Sequence, residues 1–214
     1  NLKKLITNAN YNSAVAVFGG SKVSTKIKVI EYYLKKFDKV IIGGAMANTF
    51  LFSKDINIGC SIYEKSMKKT AKSLLDYYGD KIALPEDLVT IDKSKKIQLR
   101  SINNIQKDEK VFDIGPQTRM KYFNFIEECS CLLWNGPLGF YEQKPFDEGT
   151  NYVIKAVKNN NNKNFFSVAG GGDTISMLNH AKASDYFSFI STGGGAFLEF
   201  IQGNGLPGLD SLNN

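Results

Sequence analysis

The 214-residue chain is 43% hydrophobic and 22% charged, proportions of a globular protein long enough for one large domain with its own core. No apolar run approaches the roughly 20 residues of a membrane helix and no charged-then-apolar signal opens the chain, so neither a membrane partner nor an export signal is expected. A formal charge of +6 would suit a basic nucleic-acid module, but Arg100 and Arg119 are the only arginines and the lysines are scattered, whereas base and phosphate recognition favours arginine forks; an anionic small molecule is the expected partner.

The chain opens on Asn1 rather than Met, which points to a fragment or a processed chain. Leu2 to Ile6 reads as a helix stub and Asn8 to Ser13 as a loop. Ala14 to Phe18 is a short apolar strand stopped by Gly19 and Gly20. Ser24 to Lys36 carries Ile27, Ile30, Tyr33 or Leu34, and Phe37 at the period of a helix packed on one face. Val40 to Ile42 is a strand ended by Gly43 and Gly44, and Met46 to Phe52 a short helix. Tyr63 to Tyr78 reads as a helix, Ile82 to Leu84 and Leu88 to Ile91 as strands around Pro85, and Ile97 to Ile105 as a hairpin or edge strand.

The alternation continues to the end of the chain. Val111 to Ile114 is a strand, Thr118 to Glu128 a helix, and Cys131 to Trp134 a strand before Asn135, Gly136 and Pro137. Phe146 to Val157 is a helix and Lys158 to Asn164 a solvated loop. Phe165 to Leu178 reads as strand, triple-glycine turn and helix; Phe187 to Ile190 is a strand, Gly193 to Gly195 a second triple-glycine turn, and Ala196 to Ile201 a short helix. Strands alternating with helices imply right-handed βαβ units. The expected fold class is α/β: a single Rossmann-like domain, an open parallel sheet with helices on both faces in three layers. Glycines follow the strands at Gly19, Gly43, Gly136, Gly170 and Gly193, the carboxyl edge where such sheets bind ligands. Cys60, Cys129 and Cys131 lack zinc spacing, so buried thiols in a reducing compartment are expected.

Gly170, Gly171 and Gly172 before a helix form a phosphate seat, because glycines let the backbone approach an anion and the helix start offers unpaired N–H groups. Asp173 fits two roles, a plain N-cap or a carboxylate facing a phosphate-bound divalent cation. Lys22 and Lys26 lie four apart at an expected helix start, where like charges repel and the dipole is unfavourable; an anion between them removes the conflict. In the run Trp134 to Glu142, Asn135 is suited to phosphate and Glu142 to sugar hydroxyls, or the run is a Gly/Pro turn flanked by core aromatics. Neither a P-loop nor a dinucleotide fingerprint is present. His180 is the single histidine and reads as a surface or capping residue. No Ser/His/Asp or Cys/His set can be built without it, which favours phosphoryl transfer to an already ionised acceptor.

Val17 to Lys26, Ile42 to Phe50, Trp134 to Glu142, Gly170 to Thr174 and Ser191 to Ala196 resemble the phosphoglycerate kinase family in order and spacing, over the family's carboxyl-terminal, nucleotide-binding half. The resemblance implies Mg2+ with ADP or ATP, and reversible phosphoryl transfer between 1,3-bisphosphoglycerate with ADP and 3-phosphoglycerate with ATP in glycolysis. It implies that Lys22, with Gly171 and Gly194, steadies the transferring group, and that Lys26 and Thr174 hold phosphates. Asp173 would face the magnesium, Asn135 the triphosphate and Glu142 the ribose. Gly19, Gly20, Gly43, Gly44, Ile62, Val111, Phe112, Pro137, Gly139 and Phe140 would form the adenosine site, with Gly170 and Gly172 beside the phosphates. Thr25, Ala45 and Val111-Phe112 depart from residues common in the family, the last pair adding bulk beside the adenine.

Residues 1–13 would be the remnant of an interdomain helix and linker, 14–203 the nucleotide-binding domain and 204–214 a tail. The acidic substrate would be held by an amino-terminal domain absent here, so this monomeric, cytoplasmic chain would bind nucleotide and turn over negligibly alone. A nucleotide-binding module that has lost catalysis is the competing reading.

Overall fold

A computed structural model describes residues 13–193 together with Phe197 and Ile201. The expected helix stub at Leu2 to Ile6, the loop from Asn8 up to Ser13, Gly194 and Gly195 of the second glycine turn, the rest of the helix around Phe197 and Ile201, and the tail lie outside the described residues. Six strands form one parallel sheet: β1 (Ala14–Phe18), β2 (Lys39–Ile42), β3 (Ile82–Ala83), β7 (Cys131–Asn135), β8 (Phe166–Gly170) and β9 (Phe189–Ser191), in the order β3-β2-β1-β7-β8-β9. Every residue of β1 and β7 is buried, as expected of strands covered on both faces.

Successive β1 side chains serve opposite layers. Ala14, Ala16 and Phe18 pack with α1 (Ile27–Lys36), α2 (Gly44–Ser53) and α3 (Lys68–Tyr78), through Ile30, Tyr33, Phe50 and Leu74. Val15 and Val17 pack with α4 (Pro116–Glu128), α5 (Glu148–Asn159) and α6 (Gly172–His180), through Tyr122, Ile126, Val153 and Met177. The result is the three-layer α/β/α arrangement expected of the sequence.

The expected single sheet needs one correction. The remaining strands, β4 (Asp87–Ile91), β5 (Ile97–Ser101) and β6 (Lys110–Ile114), form a separate antiparallel sheet in the order β5-β4-β6. It covers a small apolar cluster of Leu51, Ile58, Leu88 and Ile105. Of the thiols, Cys129 and Cys131 are buried, whereas Cys60 is exposed, against the expectation of three buried ones.

A second correction concerns the first helix, which begins at Ile27 rather than Ser24. Glu64, forty residues away, accepts from the Ser24 N–H at 2.9 Å and from its hydroxyl at 2.6 Å. Lys26 N–H closes a turn onto the Val23 carbonyl at 2.9 Å. Lys22 therefore stands in the loop before the helix and Lys26 at its N-cap, so the expected pair on one helical face does not form.

Asp87 joins the antiparallel sheet to the large domain. Its buried carboxylate accepts the Gln117 N–H at 3.0 Å, the Thr118 N–H at 2.8 Å and the Thr118 hydroxyl at 2.6 Å. It thus caps α4 from another element, because the N-cap residue, Gly115, has no side chain to do so. A Cβ on Gly115 would collide with that carboxylate. Asp87→Ala should lower the unfolding free energy by about 2–3 kcal/mol, since it orphans buried donors at a helix start. Denaturant unfolding of the variant checks this.

Candidate functional site

Parallel pairing places the ends of β1, β2, β7, β8 and β9 on one edge of the sheet. Gly19, Gly43, Gly136 and Gly170 sit there as the spacing implied. The loops interlock through their backbones: Gly19 N–H donates to the Asn135 carbonyl at 3.0 Å, Gly20 N–H to Pro137 at 2.9 Å and Gly44 N–H to Leu138 at 2.9 Å. A Cβ on Gly19 would strike the Pro137 carbonyl, one on Gly44 the Gly20 backbone and one on Gly136 the Gly19 carbonyl. These glycines are therefore fixed first by loop-on-loop packing, not by the passage of an anion. Gly172 differs, because a Cβ there would meet open space.

A cavity of about 190 Å³ opens at the start of α6, lined by Lys26, Asn135, Gly136, Gly171, Gly172, Asp173 and Thr174. Gly171 takes the N-cap position with φ of 98°, in the region that favours glycine. Asp173 is the second helical residue, is exposed and makes no side-chain cap bond. The N-cap alternative for Asp173 is thereby overturned. Thr174 is buried, and its hydroxyl accepts the Gly136 N–H at 2.8 Å. Asn135 donates through Nδ2 to the Gly170 carbonyl at 2.7 Å, while its buried Oδ1 has no hydrogen-bond partner.

Lys26 Nζ points into the same place. It donates to the Gly19 carbonyl at 2.7 Å and the Asn135 carbonyl at 3.1 Å. Burial pulls its pKa down to about 8, against the opposing pull of Asp173. The ammonium is held by carbonyl dipoles with no contacting carboxylate, so an arriving anion would stabilise it.

Beside this lies a larger cleft of about 460 Å³, whose lining includes Gly20, Gly44, Ile62, Val111, Phe112, Pro137, Gly139, Phe140 and Glu142. Asp173 lines both cavities. Ile62 is 72% exposed and Phe140 44% exposed, so the cleft keeps large apolar surface in water that a flat ligand would cover. Phe112 meets Phe140 edge-on at 5.9 Å and packs on Phe146 at 5.0 Å. Both added groups of the Val111-Phe112 pair thus stand in this wall.

Not every expected residue reaches the cavities. Gly19, Gly43 and Gly170 lie behind the walls, Lys22 is exposed and lines neither cavity, and Gly194 is outside the described residues. Asn48 and Ser61 line the cleft without having been singled out. The Asn48 amide donates to the Ile62 carbonyl at 3.0 Å while its Oδ1 is buried and unpaired, and the Ser61 hydroxyl accepts the Val111 N–H at 2.9 Å. The single amide of α2, beside Thr49 in a mostly apolar helix, is the available signal. A roomier cavity of about 640 Å³ lies beside α3 and β3, and Pro85 is all it has in common with the cleft; none of the expected site residues lines it.

A model of the family described as phosphoglycerate kinase matches residues 1–204. The chain belongs to the phosphoglycerate kinase family. It is 42% identical over 206 residues to phosphoglycerate kinase of Sinorhizobium fredii, covering 93% of this chain and 52% of that protein. It is 41% identical over 219 residues to the enzyme of Orientia tsutsugamushi, covering 99% and 54%. The solved phosphoglycerate kinase of Coxiella burnetii superposes with a TM-score of 0.91 at 35% identity, over 99% of this chain and 55% of that one. The chain therefore spans about half the length of the relatives it matches.

The packing account separates the glycines of this family edge experimentally. Gly136→Ala meets both a φ of 99° and a backbone carbonyl, and should cost about 2 kcal/mol or more of stability. Gly172→Ala should stay within about 0.5 kcal/mol of the parent. Thermal unfolding of the two variants side by side provides the comparison.

Proposed function

We propose that this chain is the nucleotide-binding part of a phosphoglycerate kinase, holding Mg-ADP or Mg-ATP along the glycine edge. The observation that carries the reading is that Asp173 lines both an apolar cleft sized for a nucleoside and a smaller polar cavity at a helix start. Base and ribose occupy the cleft, between Ile62, Val111, Phe112, Pro137, Gly139 and Phe140, with Glu142 at the ribose. The phosphates lie in the cavity, against the N–H groups that open α6, the Lys26 ammonium and Thr174.

A magnesium ion fits the residues present. It characteristically takes one or two carboxylates and fills its shell with phosphate oxygens and water, and Asp173 offers one uncommitted carboxylate. Among the described residues no cluster of three metal-ligating side chains exists, so the nucleotide itself would complete the site. The unpaired Asn135 Oδ1 needs a donor, which a metal-held water supplies and a phosphate oxygen does not. When bound, the ion would screen charge on the transferring phosphoryl group.

The reaction is reversible transfer of that group between ATP and the carboxylate of 3-phosphoglycerate, giving ADP and 1,3-bisphosphoglycerate. The acceptor oxygen is already ionised, so no protein base is required. His180 suits that account, since it ends α6, roughly 12 Å along the axis from the helix start at 1.5 Å per residue. Lys22, Gly171 and Gly194 steady the group in transit. The acidic substrate is held by a further domain that turnover requires together with this one, with residues 1–13 as part of the connection, 14–203 as the nucleotide domain and 204–214 as a tail. We place the chain, a monomer by this reading, in the cytoplasm; among the described residues no helix is long and apolar enough to cross a membrane.

Calorimetric titration with Mg-ADP tests the reading, and no heat of binding at millimolar nucleotide contradicts it. Asp173→Asn should weaken Mg-ADP binding about tenfold, the size of one charge-assisted contact, while leaving metal-free ADP little changed. Lys26, with its pKa near 8, is mostly neutral at about pH 8.5, and a neighbouring phosphate favours its charged form. Binding should therefore take up as much as about one proton there, and Lys26→Met should abolish the uptake. Equal enthalpies in buffers of different ionisation heat, or a buffer dependence that signals proton release, would contradict the uptake.

A further inference from the structure

We propose that Asp113 is a positioning residue of the base cleft, whose carboxylate clamps β6, the 137–142 loop and the start of α5 into the geometry that accepts a nucleobase. The proposal rests on the nucleotide reading above. Asp113 lines the cleft and is 1% exposed. One oxygen, Oδ1, accepts the Ile114 N–H at 2.8 Å. The other, Oδ2, accepts the Gly149 N–H at 2.8 Å and the Arg119 guanidinium at 3.2 Å. Arg119 is itself fixed by a bond from Nε to the Ile114 carbonyl at 3.0 Å.

One of these partners, Gly149, and a close neighbour, Gly139, explain why the carboxylate matters to the cleft. Gly149 is the second residue of α5, so its N–H is one of the helix-start donors that otherwise lack a partner. Gly139 adjoins Phe140, and a Cβ on either Gly139 or Gly149 would collide with the Asp113 carboxylate. The loop thus rests directly on that carboxylate. Phe140 N–H then donates to the carbonyl of Phe112 at 2.8 Å, the residue next to Asp113. The Phe112–Phe140 wall is built on this one side chain.

The clamp also titrates near neutrality. Burial pushes the Asp113 carboxyl up to about 7, opposed by the Gly149 N–H, Arg119 and the Ile114 N–H, with Glu148 adding to the upward push. The charged groups facing it are Arg119 from α4 and Glu148 from α5. Its register partner on β4 is Val89, and the loop presents Gly139; neither ionises. Protonation removes the negative charge that strengthens the Gly149 and Arg119 bonds, so the neutral acid holds the start of α5 and the loop less firmly. Affinity for the base should be full above the folded pKa and fall as pH drops through it.

Adenosine is the appropriate probe, because it carries no phosphate to titrate or to touch Lys26. Its dissociation constant is measured on this chain between about pH 9 and 5.5, a range that brackets the folded pKa of about 7 and a higher midpoint. The expected result is a several-fold weakening towards acid, up to roughly tenfold for one charge-assisted hydrogen bond. Asp113→Asn should bind weakly with no pH dependence. Arg119→Gln should move the midpoint to higher pH, because the cation that favours the ionised carboxylate is gone; this variant decides the matter where Asp113→Asn fails to fold. Adenosine binding that is flat with pH in the parent, or an unmoved midpoint in Arg119→Gln, overturns the positioning role and leaves the nucleotide reading standing. Failure of both adenosine and Mg-ADP to bind at any pH overturns the nucleotide reading, and this proposal with it.

Discussion

Backbone hydrogen bonds between neighbouring loops hold the functional edge of this molecule together. The loops after β1 and β2 donate to the carbonyls of Asn135 at the end of β7 and of Pro137 and Leu138 beyond it, at distances that leave no space for a Cβ at Gly19, Gly44 or Gly136. The order of the sheet makes this possible, because β1 lies between β2 and β7. Residues more than a hundred positions apart, such as Gly19 and Asn135, are thereby held at one edge by bonds within the protein itself. A site preformed in this way loses little conformational entropy on binding.

What the interlock leaves unsatisfied defines the site. The Lys26 ammonium is desolvated and rests on two carbonyls, the start of α6 faces open space at Gly172, and Asp173 is committed to no cap. Asn48 Oδ1 and Asn135 Oδ1 are buried without partners, each on the wall of one cavity. Buried polar atoms are normally paired. Ile62 and Phe140 keep apolar surface in water. The cationic and helix-start groups suit an anion, the two amide oxygens suit a donor and the exposed apolar side chains suit a flat apolar surface, a combination that supports the proposed nucleotide.

The strands and the glycine edge are legible because the strands of the parallel sheet, apart from β3 with Pro85 after it, are short apolar runs followed by glycine, a local signal. Strand direction has no such signal. Leu88 to Ile91 reads like its neighbours, yet it pairs antiparallel with β5 and β6, and Ile97 and Leu99 stand 47% and 57% exposed on the edge strand, which hides the alternation. The true start of α1 was hidden because Ser24 is held by Glu64, a contact no local window contains. Of the two roles open to Asp173, the N-cap fails by two residues, since Gly171 at positive φ takes that position. Asp113 follows the Val111-Phe112 pair directly, and no local signal marks it out. Its partners Arg119 and Gly149 are brought to it by α4 and α5, and only folding brings them together.

The central claim is that the glycine edge is a preformed seat for a magnesium nucleotide, with phosphates at the start of α6 and the base against Phe112 and Phe140. A crystal structure of the chain grown with magnesium and ADP tests it most directly. The account predicts a diphosphate within hydrogen-bond reach of the Gly172 and Asp173 N–H groups and of Lys26 Nζ, the purine in the cleft, and the Gly19, Gly20 and Gly44 hydrogen bonds unchanged. A nucleotide seated in the cavity beside α3 and β3, or loops that rearrange to admit it, would contradict it.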